Sequence, residues 1–274
     1  MRVFVTRPQA EAAHWVQALV REQIDAASLP LIEIRPVADD RAVRVAWQAI
    51  GQFDAVMFVS AAAVAHFFAD SSRHGGRWPD AGVLRAWAPG PGTAAALVAM
   101  GVAPGEIDAP DPHSRQFDSE SLWRQVGSTV RAGQQVLVVR GTLGDAMPVA
   151  VGAAADTALP ADAGQGRDWL ARQLVARGVQ VRFVAAYCRC APPAAALRQA
   201  VLAAHAVAPA WWLFTSSQAI ENLIAAVPEH DWAPAQALVT HPRIAAAARA
   251  AGFGVVQESR PALADVVASI KSLG

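Results

Sequence analysis

Lysine and tyrosine are nearly absent from this sequence: Lys271 and Tyr187 are the only examples, and cysteine occurs twice, at Cys188 and Cys190. Formal charge balances at zero, so no polycationic surface is available to hold nucleic acid or an anionic membrane. The scarcity of lysine leaves arginine to supply the remaining 22 of 23 basic residues. Arginine recognises carboxylate and phosphate through a planar bidentate fork, although a compositional bias towards arginine and alanine explains the total better. Two cysteines one residue apart on the same face of a strand suit neither a disulfide nor a metal site and are expected as buried or half-buried thiols.

Other features are missing too. Met1 to Pro8 carries charge and a proline but no apolar run of signal-peptide length, so a cytoplasmic location is expected. The most apolar later stretch, Ala191 to Phe214, is interrupted by prolines, Arg198 and His205, which excludes a membrane span there. Gly90-Pro-Gly-Thr93 is neither Gly-x-Gly-x-x-Gly nor a phosphate loop ending in Gly-Lys-Ser/Thr, so nucleotide binding has little support. No Gly-x-Ser-x-Gly elbow is present, and the histidines are too scattered for a metal cluster. Chemistry therefore has few candidates among the familiar signatures.

What is present is a long, apolar chain of 274 residues, 54% hydrophobic and 17% charged, enough for two cores of ordinary size. Val181 to Cys190 is rich in β-branched and aromatic residues and stops at Pro192-Pro193, as a strand would. Runs of strand and helix patterns lie on both sides of it. It is therefore expected to carry the chain back from one α/β domain to another, with Tyr187 where the two face each other. Leu29 to Val37, with prolines near both ends, is expected as the outgoing strand and its antiparallel partner.

Between these connectors, strands at Asp54 to Ser60, Leu84 to Pro89, Glu106 to Ala109 and Gln135 to Arg140 alternate with helices at Ala61 to Phe68, Ala94 to Met100, Ser119 to Val126 and Asp168 to Arg177. Outside them, Arg2 to Pro8 with Glu11 to Glu22 opens the chain. After the return, the helix Ala194 to Ala204 is followed by strands at Trp211 to Thr215, Ala237 to Thr240 and Val255 to Gln257, with helices between and a closing helix at Ala262 to Leu273. Such alternation predicts parallel sheets covered on both faces. The Ala- and Gly-rich insert between Arg140 and Arg167 is either a surface excursion or contains a strand without a clear pattern.

Two segments repeat in order. Ala55 to Val64 aligns with Trp211 to Ile220, and Trp87 to Gly101 aligns with Leu238 to Gly252, which suggests similar halves. Ligands of open parallel sheets bind beyond the carboxyl ends of strands, where helices begin. Ser60, Gly92-Thr93, Ser216-Ser217 and Thr240-His241 occupy four such points. Each helix start offers unpaired N–H groups and partial positive charge for an anion, although serine and threonine are also ordinary helix caps.

Several motifs carry a family resemblance. They are Thr6-Arg7-Pro8, Phe58-Val-Ser60 with Val64 and Phe67, Gly90-x-Gly-Thr93-Ala94, Ser119-Glu120-x-Leu122, Val138-Val-Arg140-Gly141, Gly166-Arg167 with Leu170, Leu174 and Gly178, Tyr187 five residues before Pro192, and Phe214-Thr-Ser216-Ser217 with Asn222. In this order the chain resembles the uroporphyrinogen-III synthase family over nearly its whole length.

The resemblance implies an α/β protein of two doubly wound parallel-sheet domains joined by a two-stranded β-ladder. The first domain is discontinuous (1–36 and 188–274), the second is 37–187, and the linker strands are about 29–37 and 181–190. It also implies a hydro-lyase, without metal or cofactor, that cyclises hydroxymethylbilane, a linear tetrapyrrole with eight carboxylates, to uroporphyrinogen III with inversion of the last ring and loss of water. A monomer is expected separately, because few apolar stretches call for a partner. No nucleic acid or membrane partner is implied.

In that reading Tyr187 assists the departing hydroxyl, as a phenol of ordinary pKa about 10 can. Arg7, Ser60, Gly92, Thr93, Arg140, Thr215, Ser216, Ser217 and His241 contact substrate, together with the backbone N–H groups of Ala61 and Ala62, since Ala61 replaces a small polar residue of the family pattern. Two other classes compete on the residues alone: a cofactor-free two-lobed α/β protein that binds or senses a small anion, and a nucleotide-dependent transferase using Gly90 to Thr93.

Overall fold

A computed structural model describes residues 1–74, 77–79, 82, 84–111, 118–144, 165–206 and 210–273. The insert expected between Arg140 and Arg167 lies largely outside the described residues. The chain divides into two compact units, one formed by Met1–Ile34 with Arg189–Gly274 and the other by Arg35–Cys188.

The unit built from both chain ends holds five strands: β1 (Arg2–Val5), β2 (Asp25–Ser28), β9 (Ala210–Phe214), β10 (Gln236–Val239) and β11 (Val255–Glu258), in the order β11-β10-β9-β1-β2. Every neighbouring pair is parallel. Side chains alternate between the two faces with the period of two that a strand imposes. Phe4, Trp212, Phe214, Ala237 and Val239 pack against α7 (Ala194–His205), α8 (Ser217–Ala226) and α9 (Pro242–Ala250). Val3, Val5, Trp211, Leu213 and Leu238 face the other way, onto α1 (Gln9–Arg21) and α10 (Leu263–Ser272). Residues one position apart thus serve two cores, which is why β9 is apolar throughout, and β1 and β10 after their first residue, rather than half polar.

The other unit contains a six-stranded sheet: β3 (Glu33–Pro36), β4 (Ala55–Phe58), β5 (Arg85–Trp87), β6 (Ile107–Asp108), β7 (Gln135–Leu143) and β8 (Gln180–Cys190), in the order β3-β8-β7-β4-β5-β6. Strands β7, β4, β5 and β6 pair in parallel. Ala55, Met57, Val136 and Val138 face α5 (Ser119–Val126) and α6 (Gln165–Ala176). Phe58 projects into an aromatic group with Phe67 and Phe68 of α3 (Ala61–His74), with ring centroids 5.6 and 6.0 Å away. Trp47 of α2 (Arg41–Gln48) stacks on Phe67 at 4.6 Å and donates its Nε1–H to the Phe67 carbonyl.

The expected repeat has a structural counterpart. β4-α3-β5-α4-β6, where α4 is Pro91–Ala99, and β9-α8-β10-α9-β11 each place three consecutive parallel strands side by side. Helices α4 and α9 both begin with proline at the first position, where its fixed φ and missing N–H are harmless. Both end at a glycine of positive φ, Gly101 at 88° and Gly252 at 93°. The next residue then donates back to the same place in the last turn, Val102 to the Leu97 carbonyl and Phe253 to the Ala248 carbonyl.

Two expectations need correction. Leu29 to Val37 is not one strand. Leu29 and Leu31 extend the ladder along β1, donating to the carbonyls of Val5 and Thr6, and Pro30 between them has no N–H to donate. Leu29, Leu31 and Ile32 turn into the core, and only Glu33–Pro36 forms β3. The true β2, Asp-Ala-Ala-Ser, lacks the β-branched residues that mark a strand. Helix α2 also had no place in the sequence reading. Its signal is Val43, Ala46 and Trp47 buried at helical spacing. Just ahead of it, Asp39 is held down at about 2 by the side chain and then the backbone N–H of Arg41.

Gly254, just before β11, has no room for a side chain: a Cβ there would sit 2.0 Å from the Ala233 carbonyl oxygen. At Gly92 a Cβ would meet nothing within 4 Å. Gly254→Ala is therefore expected to cost on the order of 1–3 kcal/mol, and Gly92→Ala to stay within about 0.5 kcal/mol. Urea denaturation compares them, and equal midpoints for the two variants would refute the packing argument.

Candidate functional site

In the unit Arg35–Cys188 the carboxyl ends of β4, β7 and β8 lie side by side, with β7 in the middle. Tyr187 is on β8, and its phenol oxygen lies 3.1 Å from Ser60 Oγ, just beyond β4. The ring passes over the backbone of β7 at Gly141. A Cβ built on Gly141 would fall 2.4 Å from Tyr187 Cε2 and 2.6 Å from Cζ, so the crossing exists only because that residue has no side chain. The φ of Gly141 is not in the positive region. Close approach, not backbone freedom, is what calls for glycine here.

Helix α3 holds the phenol. Its cap, Ser60, accepts the Ala63 N–H at 3.2 Å, the ordinary bond of an N-cap serine. That leaves Ser60 Oγ with its own proton and one lone pair, so the hydroxyl can donate to the Tyr187 oxygen and free the phenol proton for another acceptor. The phenol oxygen consequently sits at the positive end of α3. On the second turn of the helix, His66 stacks on the Tyr187 ring, with centroids 5.7 Å apart and planes at 26°. His66 is half-buried, and burial lowers its pKa from the ordinary 6.5. Tyr187 itself is 3% exposed.

The other expected residues of this unit are near strand ends but have different surroundings. Ala61 is exposed and Ala62 partly buried in the first turn of α3. Arg140, beside Gly141 on β7, lays its guanidinium over the Phe183 ring at 4.6 Å. Gly92 is exposed in the first turn of α4, whereas Thr93 is buried and donates its N–H to the Gly90 carbonyl. The side chain of Arg167 lies outside the described residues.

In the unit formed by the chain ends, Thr6 is structural: its hydroxyl donates to the Leu213 carbonyl at 2.7 Å. Arg7 pairs with Glu11 at 2.5 Å and lies over Trp15 at 4.2 Å, which ties the guanidinium to α1. Thr215, Ser216 and Ser217 lie together at the β9–α8 junction. Ser216 Oγ accepts from Arg189 Nη2 at 3.1 Å, and Ser217 Oγ is buried with no hydrogen-bond partner among the described residues. His241 caps α9, its Nδ1 accepting the Arg243 N–H at 3.0 Å, which places the neutral ring's proton on Nε2. Asn222 donates to the Leu31 carbonyl at 2.6 Å.

Sequence reasoning missed His66, Arg189 and the reason for Gly141. Arg189 had a usable signal, since it follows Tyr187 by two residues on the same strand. Nothing in the linear pattern pairs position 66 with position 187.

These observations define an α/β protein of two sheet units that presents hydroxyls and helix starts at strand carboxyl ends, with one phenol as its distinctive group. The chain matches the family model for uroporphyrinogen-III synthase HemD over residues 13–150 and 151–268. No curated protein sequence matches it. Among solved structures it is similar to a mutant uroporphyrinogen III synthase from the extremely thermophilic bacterium Thermus thermophilus, at 15% identity and a TM-score of 0.56, covering 99% of this chain and 98% of that one. Uroporphyrinogen-III synthetase from Helicobacter pylori matches at 12% identity and a TM-score of 0.54, with both chains covered in full (100%). At such identities the two structures speak for the fold, and the family model speaks for descent. The chain belongs to the uroporphyrinogen-III synthase family, the cyclising hydro-lyases of haem biosynthesis. No helix among the described residues is long and apolar enough to cross a membrane.

Two outcomes are expected at this site. Gly141→Ala should fold but push the phenol away from Ser60, at a cost of about 1–3 kcal/mol; an unchanged crystal position of Tyr187 in that variant would refute the crossing. His66 contributes a pH dependence of definite sign. As pH falls through 6.5, the unfolded chain takes up the proton before the folded one does. The contribution is therefore fully present above that value and is lost towards acid. Comparing denaturation midpoints at about pH 7.5 and about pH 5.5 should show a smaller acid loss in His66→Phe than in the unsubstituted protein. Equal losses would mean that His66 titrates normally.

Proposed function

We propose that this chain converts hydroxymethylbilane to uroporphyrinogen III and that Tyr187 assists the first bond cleavage. The observation that supports this reading most directly is the phenol oxygen held by Ser60 at the start of α3. A neutral phenol there donates its proton to the substrate's terminal hydroxyl as the carbon–oxygen bond breaks. The pyrrole nitrogen supplies the electron pair, so water leaves and an azafulvene remains. The substituted carbon of the last ring attacks this electrophile to give a spiro intermediate. Fragmentation and reclosure through the unsubstituted carbon on the other side of the pyrrole nitrogen invert that ring, and the proton lost from that carbon balances the one first given. Ser60 donates to the phenol oxygen as its charge grows, the role of a preorganised donor.

The substrate's eight carboxylates suit helix starts better than a lysine-rich surface, which this chain could not build. Candidate contacts in the unit Arg35–Cys188 are Ser60, Gly92, Thr93, Arg140 and the N–H groups of Ala61 and Ala62. In the other unit they are Arg7, Thr215, Ser216, Ser217 and His241. Each helix start contributes roughly 0.3–1 kcal/mol towards an anion. The greater task is to fold a flexible chain so that direct, uninverted closure does not compete. We read the protein as a cytoplasmic monomer that needs no metal or cofactor.

The purified protein should be given freshly made hydroxymethylbilane and the oxidised products separated into uroporphyrin isomers. Isomer III in excess is expected. Isomer I alone, at the rate seen without protein, would sink the reading in favour of an anion-binding protein. Tyr187→Phe should lower kcat by about 10²- to 10⁴-fold, the range typical of proton-transfer assistance, without abolishing isomer III. Unchanged turnover in that variant would remove Tyr187 from the chemistry.

A further inference from the structure

Tyr187 is fixed at two points by one helix. Ser60, the cap of α3, holds the oxygen, and His66, six residues later, lies against the ring. The backbone at Gly141 bounds the ring as well, within contact distance of Cε2, Cζ and Cδ2. A phenol held only at its oxygen can still pivot about its side-chain torsions, because the terminal torsion of tyrosine is broad. The imidazole removes that freedom. Its offset stacking with planes at 26° is the arrangement aromatic pairs favour. Among the described residues the phenol oxygen has Ser60 as its partner and not the His66 ring, so the influence of His66 is exerted through the ring face.

We propose that His66 is a positioning residue that locks the orientation of the Tyr187 phenol and thereby sets the rate of the step Tyr187 assists. The kinetic half of this statement rests on the synthase reading, whereas the structural half does not. The role is filled by an aromatic ring and not by a titrating group, so a phenylalanine at position 66 should fill most of it.

The absence of any second tyrosine makes the test direct. Protein labelled with ¹³C-tyrosine has one set of ring signals, all from Tyr187. In His66→Ala the ring-current contribution of the imidazole disappears, the ring signals shift and ring flipping speeds up, while His66→Phe retains shifted, slowly flipping signals. Turnover of hydroxymethylbilane by His66→Ala should show kcat lowered about three- to tenfold, the size expected for loss of one aromatic stacking contact, with KM nearly unchanged. His66→Phe should recover most of that loss. In a Tyr187→Phe background, His66→Ala should cost no further activity, since the group it orients is gone. Ring signals unmoved by His66→Ala would overturn the proposal, as would a kcat loss that persists in full without the phenol. If the unsubstituted protein makes no isomer III, the synthase reading fails, and the ring signals still decide whether His66 holds the phenol.

Discussion

The site depends on one aromatic ring crossing one strand. Tyr187 projects from β8 and meets a hydroxyl beyond β4, although β7 lies between. Neighbouring strands are roughly 4.8 Å apart, so only a side chain of tyrosine length spans the middle strand. Only a residue without a side chain can lie beneath it. Gly141 meets that condition, and its cost to strand packing is offset by the ring laid over it. Serine as a cap is equally constrained. It closes the first turn of α3 and still keeps a proton for the phenol.

The scaffold supplies rigidity by burying its central strands on both faces. Adjacent side chains of β1 and β9 enter separate cores on opposite faces of the sheet, and β4 does the same in the other unit. A strand buried on both faces has no slack in its register, because a slip of one residue would exchange the two cores. The carboxyl ends where the hydroxyls sit inherit that precision. The same plan appears twice, in β4-α3-β5-α4-β6 and β9-α8-β10-α9-β11, down to the proline that opens α4 and α9 and the glycine that closes them.

The two units use their helix starts differently. Around α3 the cap serine faces a phenol. Around α8 it faces the guanidinium of Arg189, and around α9 the cap is an imidazole accepting a backbone N–H. These latter positions offer charge and hydrogen-bond donors, and no phenol lies among them. Arg7, at the corresponding end of β1, is held by Glu11 and Trp15 and contributes to the stability of α1.

The sequence by itself determined the alternating α/β architecture and the twofold repeat, and it singled out Tyr187 as the one phenol of the chain. These features are local: apolar periodicity, turn residues and a unique side chain are all visible within a few positions. Its family motifs already contained Ser60 and Gly141. The boundary between Leu29 and Val37 escaped it because a proline breaks the ladder there while the leucines turn into the core. Helix α2 escaped because its three buried residues are spread among arginines. Tertiary structure alone decided that positions 60, 66, 141 and 187 meet. They come from the end of β4, α3, β7 and β8, and strand order in a sheet follows from which apolar faces bury one another across the whole chain, which no short stretch of sequence encodes. For the same reason His66, an ordinary half-buried residue on a helix, acquired its meaning only when β8 laid the phenol against it.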